Sequence, residues 1–179
     1  MLIDRLLNEA LDLIQQAQKL KEIPVDKLTD RPNAKSWNVL ECLEHISRYH
    51  QFYLPEVRQQ IKASPYPAAR VFRSGWFGNY SANSMLPKKE GKVNMAMKTF
   101  PDMDPQGDKV EVAVIGQFIE EMNELVELME RSRAVDLRKT KCNLTIRWLK
   151  FTLGDTFRFL INHNRRHFLQ IDRILNEIH

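Results

Sequence analysis

No stretch of about 18 consecutive apolar residues occurs in this chain, which argues against a membrane-spanning helix. The N-terminal segment MLIDRLLNEALDLIQQAQKL carries acids and glutamines at helical spacing where a secretory leader would carry an unbroken apolar run. A soluble, cytoplasmic protein with no membrane partner is therefore expected. Cysteine is scarce: Cys42 and Cys142 lie far apart with no C-x-x-C spacing, so a disulfide framework is not expected and both are read as reduced thiols. Internal repeats, low-complexity tracts and RNP, finger or recognition-helix signatures are missing, and no nucleic-acid partner is expected. Acids are scarce in two stretches. From Lys62 to Lys98, Arg70, Arg73, Lys88, Lys89 and Lys92 face only Glu90, and the bases from Arg131 to Lys150 face only Asp136. Both stretches read as connections, either solvated or bordering a site for an anion.

What is present suits one domain over residues 1–179. The chain is 43% hydrophobic and 28% charged, enough to bury a core. Apolar residues at three- and four-residue spacing predict four helices. The first covers about 2–21, with Leu2, Ile3, Leu6, Leu7, Ala10, Leu13, Ile14, Ala17 and Leu20 on one face. The second starts at Asn38, which with Glu41 has the form of a capping box, and Pro65 and Pro67 close it off. A third opens near Asp104-Pro105 or Asp108 and ends around Arg133. The fourth has Thr152 and Asp155 in N-cap and N3 character and runs almost to the C-terminus, its apolar face ending at Ile178. Four amphipathic helices imply an all-α four-helix bundle.

A long irregular connection, about 63–107, separates the second and third helices and holds four of the six glycines and five of the eight prolines. Connections of that length are unusual in a compact domain. Within it, VFRSGWFGNYS gathers Phe72, Trp76, Phe77 and Tyr80, which either pack against one end of the bundle or cover a pocket.

Histidines supply the functional lead. His163 and His167 differ by roughly 40° around a helix at about 100° per residue, so they project from one face a turn apart. On the second helix His45 sits at the edge of the apolar face and His50 nearer its centre, and geometry leaves open which of them joins the pair. Three imidazoles from two helices can hold a divalent metal with a coordination position to spare. Glu41, one turn before His45, is a candidate to orient that ring, although capping already explains it. Cys42 reads either as a further ligand or as a small buried residue.

SWNVLECLEHI, with a Trp eight residues before a His, followed near the C-terminus by INHNRRHFLQI, resembles the DinB/YfiT-like superfamily of metalloenzymes. The likeness extends over nearly the whole chain, and KVNMAMKTFPDMDPQG resembles a connection found in part of the family. It implies an up-down-down-up four-helix bundle, often a homodimer, whose metal ligands match His45, His163 and His167. Some relatives use low-molecular-weight thiols such as bacillithiol or mycothiol, while many have no known activity. The resemblance thus implies a metal-dependent thiol S-transferase, with zinc or nickel as the metal and a thiol and a small electrophile as partners. A metal-dependent hydrolase and a noncatalytic metal-binding bundle are the alternatives. Arg165, Arg166 and the loop bases are candidates for binding carboxylates of such a thiol.

Overall fold

The apolar stripes become helices wherever they meet a partner. The structure, a computed structural model, describes residues 1–86, 99–146 and 148–177. Four long helices form the body: α1 (Leu2–Leu20), α3 (Val39–Ala63), α5 (Val114–Arg131) and α6 (Leu153–Glu177). Short α2 (Val25–Thr29) follows Pro24, and α4 (Trp76–Ser84) lies inside the connection expected to be irregular. A hairpin of β1 (Lys141–Asn143) and β2 (Lys150–Thr152), with Cys142 opposite Phe151, joins α5 to α6. No described helix is long and apolar enough to cross a membrane.

Each of α1 and α3 packs against both α5 and α6. Leu6, Leu13, Leu43, Ile46, Phe118, Met122, Leu125 and Phe157 are among the fully buried side chains between them. Ser47 meets Gln117, His50 meets Glu121 and Arg58 meets Glu124, so α3 and α5 ascend together as parallel neighbours. Opposite α6 the order reverses: His45 faces His163, and Tyr53 faces Phe159. Parallel neighbours explain the long connection. The chain leaving α3 must return the length of the bundle before α5 can start.

Two expected helix starts hold. Asn38 accepts a hydrogen bond from the Glu41 amide at 2.8 Å, while Glu41 accepts from the Asn38 amide at 3.0 Å. Thr152 Oγ1 accepts from the Asp155 amide at 3.0 Å, one residue before α6 begins. The third start is corrected. α5 opens at Val114 behind Ala113 with no side-chain cap, because the residues expected to start it are used elsewhere. Asp104 accepts from the Trp37 indole at 3.1 Å, and Asp108 pairs with Arg48. The end of the predicted fourth stripe, Ile178, and the segment 87–98 with Lys88, Lys89, Glu90, Lys92 and Lys98 lie outside the described residues.

The aromatic segment is also corrected, from an irregular stretch to a helix laid on α6. Gly78 permits that approach, since a Cβ there would fall 2.5 Å from Asp155 Oδ2. Gly154 does the same from the other side, against the Phe72 ring. Asp155, beyond its place in the first turn of α6, accepts from the Gly75 amide at 2.9 Å and from the Ser74 hydroxyl. It therefore ties the connection to the start of α6. Phe77 packs inward against Phe151, whereas Trp76 and Tyr80 face solvent.

Candidate metal centre

The capping box sets where α3 begins, and two turns later the helix presents His45 toward α6. There it meets His163 and His167, which occupy one face a turn apart. His45 Nε2 and His167 Nε2 each lie 3.2 Å from His163 Nε2. Among the described residues this is the one group of three or more His, Cys, Asp or Glu side chains whose ligand atoms converge within 4.8 Å.

Hydrogen bonds on the far side of two rings decide what the converging atoms are. His45 Nδ1 donates to the Met103 carbonyl at 2.6 Å, and His167 Nδ1 contacts Gln170 Oε1, an acceptor, at 3.1 Å. A neutral imidazole protonated at Nδ1 carries a lone pair at Nε2. Two lone pairs therefore aim at His163 Nε2, which has at most one proton to offer. His163 Nδ1, buried, has no hydrogen-bond partner among the described residues. All three rings are held neutral. Burial pushes His45 down to about 4 and holds His163 and His167 well below the ordinary imidazole range, with repulsion from the neighbouring rings adding to it. Electron-rich nitrogens that cannot satisfy one another are a donor set that fits a divalent cation.

Around the cluster the walls are aromatic. Trp37 lies 4.7 Å from His45 between ring centres, and Tyr49 and Phe159 lie 4.5 and 5.7 Å from His163. One side opens into a cavity of about 940 Å³ that also reaches Tyr53, Phe77, Phe151, Gln170 and Arg173. That volume is ample for a small organic molecule.

Other candidates separate cleanly. His50 is fully buried and has both nitrogens engaged, Nδ1 donating to Glu121 at 3.2 Å and Nε2 accepting from Asn164 at 3.0 Å, away from the cluster. Glu41 does not orient His45; its carboxylate takes the Asn38 amide, Arg31 at 2.6 Å and the Gly107 amide at 3.3 Å. Cys42 is a core residue outside the cluster, its thiol pushed far up by burial. Arg165 turns away to pair with Glu9 at 3.5 Å, whereas Arg166 lines the cavity. Arg70, Arg73, Arg138 and Lys139 are exposed and do not line it. Sequence reasoning missed Met103, which lies in a single 3-10 turn (Pro101–Met103) of the connection and supplies only a carbonyl. Gln170 was findable, since it stands three residues after His167 on the same face.

A family model of the DinB superfamily matches residues 6–171, and the chain belongs to that superfamily. No curated protein and no solved structure gives a significant match.

Proposed function

From that membership and the three converging histidines, we propose that the chain is a metal-dependent enzyme that transfers a low-molecular-weight thiol to a small electrophile. His45, His163 and His167 would hold the ion, zinc or nickel, as a neutral donor set that leaves its charge undiminished. Bound there, a divalent ion supplies Lewis acidity that lowers the pKa of a thiol at neutral pH. The observation that carries the reading is the pair of Nε2 lone pairs fixed on His163 by hydrogen bonds from the opposite side of each ring.

The protein's own side chains account for the rest. Met103 and Gln170 hold His45 and His167 in the tautomer that points a lone pair inward. Trp37, Tyr49 and Phe159 wall the cluster from bulk water and strengthen electrostatic interactions inside it. Neither cysteine is suited to be the nucleophile. Both are buried, and burial raises Cys42 strongly and pushes Cys142 up to about 12. That supports a thiol brought in as a substrate, for which the cavity has room.

Elemental analysis of the untagged protein tests the reading. Near-stoichiometric metal in the wild type, lost in His45→Ala and His163→Ala variants that remain folded, supports it. Conjugation of an electrophile by the loaded wild type with added thiol then identifies the reaction. No metal after reconstitution with zinc, nickel, manganese or iron would sink the proposal. Metal with ester or amide hydrolysis and no thiol transfer would favour the hydrolase alternative.

A further inference from the structure

Rings that line the cavity are ordered beside the histidine cluster. Tyr49 and Tyr53 come from α3, Phe159 and His163 from α6, Phe151 from β2 and Phe77 from α4. Each long helix supplies a pair one turn apart, and within each pair the planes are nearly parallel: 11° between Tyr49 and Tyr53, and 16° between Phe159 and His163. Between the two helices the planes open to 41–53°, with ring centres 4.5–6.3 Å apart. α3 and α6 thus form the two inclined sides of an aromatic trough. Phe151 and Phe77 continue it away from the histidines, at 5.9 Å from Phe159 and 5.5 Å from Phe151.

The trough offers a ligand ring faces and little else. None of the six side chains is charged, and the Tyr53 hydroxyl is met by Thr145. Tyr53, Phe151 and Phe159 are buried in the core, so only their cavity sides are left for a ligand. A ring face carries negative and an edge positive partial charge, and inclined rings present both to a flat guest. An aromatic guest gains offset and edge-to-face contacts there that a saturated body of the same outline does not.

We infer that the electrophile taken by this site is aromatic, its ring lying in the trough between Tyr49, Tyr53 and Phe159 and its reactive carbon, attached to the ring, turned toward the histidines. An arylmethyl halide has that form. In the transfer the thiol gives its proton to solvent, its sulfur pair forms the new S–C bond, and the halide departs with the pair of the C–halogen bond that breaks. The inference rests on the proposed function for this step, whereas seating of the ring does not depend on it.

Isothermal titration of the full-length chain with 2-naphthylmethanol, against its fully saturated decahydro analogue, tests the assignment. Both carry the same hydroxymethyl group, so any contact with a metal cancels in the ratio. Apolar area alone gives the saturated alcohol at least equal affinity. The aromatic alcohol is nevertheless expected to bind about 5-fold more tightly, in keeping with specific ring contacts. Phe159→Leu, which keeps an apolar wall but removes a ring, should bring the two probes to near parity, and Phe77→Leu should lower the preference about twofold. Phe168→Leu, on the same helix but packed against Phe118, should leave it unchanged. Should Phe159→Leu fail to fold, the half-buried Phe77 carries the test. No binding of either probe, equal affinity, tighter binding of the saturated alcohol, or a preference untouched in both trough variants overturns the inference. An aromatic preference in a protein that takes up no metal leaves the trough standing and removes the thiol transfer. Thiol transfer by a protein without the preference removes the trough alone.

Discussion

Two polar clusters lie close together on α3 and α6, each containing buried histidine, and they have opposite chemistry. In one, His50 gives its proton to Glu121 and receives one from Asn164, while Ser47 and Gln117 complete the set around Glu121 at 2.6 and 3.0 Å. Both ring nitrogens are spent inside the core. In the other, each outer ring spends one nitrogen on Met103 or Gln170 and turns the other toward a shared point beside a cavity. Burial is therefore a poor guide to function here, since His50 at 0% exposure and His163 at 4% are equally hidden. What separates them is whether the hydrogen bonds close on themselves or leave lone pairs aimed at one place.

Exchanging the consequences of the two clusters is the most direct way to break this comparison. His163→Ala should reduce bound metal from near one per chain to near none while the protein stays folded, read by elemental analysis and circular dichroism. His50→Ala should do the reverse. It empties a fully buried ring site, leaves the buried Asn164 amide without its imidazole acceptor and removes one of the partners of Glu121, and should cost about 3 kcal/mol in urea unfolding, yet leave the metal content of the folded protein unchanged. Metal loss in both variants would mean that the clusters act as one.

Acid separates the two next. The folded protein holds His45 down to about 4, below the ordinary 6.5, and burial holds His163 and His167 well below 6.5 too. Between those values the unfolded chain binds protons that the folded chain refuses. Stability of the metal-free protein should thus be full above about pH 6.5 and decline as the pH falls toward 4, with His45 alone contributing on the order of 3 kcal/mol. Adding zinc at about a thousandfold excess over its dissociation constant at neutral pH should stabilise the wild type by about 4 kcal/mol and His163→Ala by little. A wild-type stability that is flat from pH 6.5 to 4.5 would contradict the buried neutral histidines.

A smaller effect is expected from Arg48, which sharpens the contrast without touching a ring. Its guanidinium donates to the Asp104 carbonyl at 3.0 Å and pairs with Glu44 and Asp108, pinning to α3 the turn that carries the Met103 carbonyl. Arg48→Met should weaken metal affinity about 10-fold, the range seen when a ligand's supporting partner is lost, while leaving the His50 cluster alone. Competition with a chromogenic chelator would measure it; unchanged affinity would show that the turn holds itself. The smallest effect is expected at the start of α3, where Asn38→Ala removes half of a capping box. It should cost about 1 kcal/mol of stability and change metal stoichiometry not at all.

The legible parts of the sequence were those with local causes. Asn38 with Glu41 and Thr152 with Asp155 marked helix starts because the hydrogen bonds that make them run between residues three apart. Apolar spacing marked the four long helices because burial selects a face. The start expected near Asp104-Pro105 or Asp108 failed, since Arg48, distant in sequence, claims Asp108 and the Trp37 indole donates to Asp104. Trp76 and Phe77 gave no readable period, and α4 lies against α6 where Gly78 lets it approach Asp155.

By itself, then, the sequence determined an all-α bundle and the residue types of its centre, because helix caps, helical period and a four-residue histidine spacing are short-range matters. Membership of the DinB superfamily was readable too, from two short motifs, one spanning the start of α3 and one within α6. Helix geometry left His45 and His50 both open and the resemblance implied His45; that His45 is the one that meets the pair depends on how α3 is rotated against α6, which the tertiary structure shows. Only the tertiary structure decided that a backbone carbonyl from the connection fixes the His45 tautomer, that Glu41 does not, and that Arg166 lines the cavity while its neighbour Arg165 points away. Each of those outcomes is set by contacts between segments far apart in the chain, where a residue's type says little about which partner will reach it.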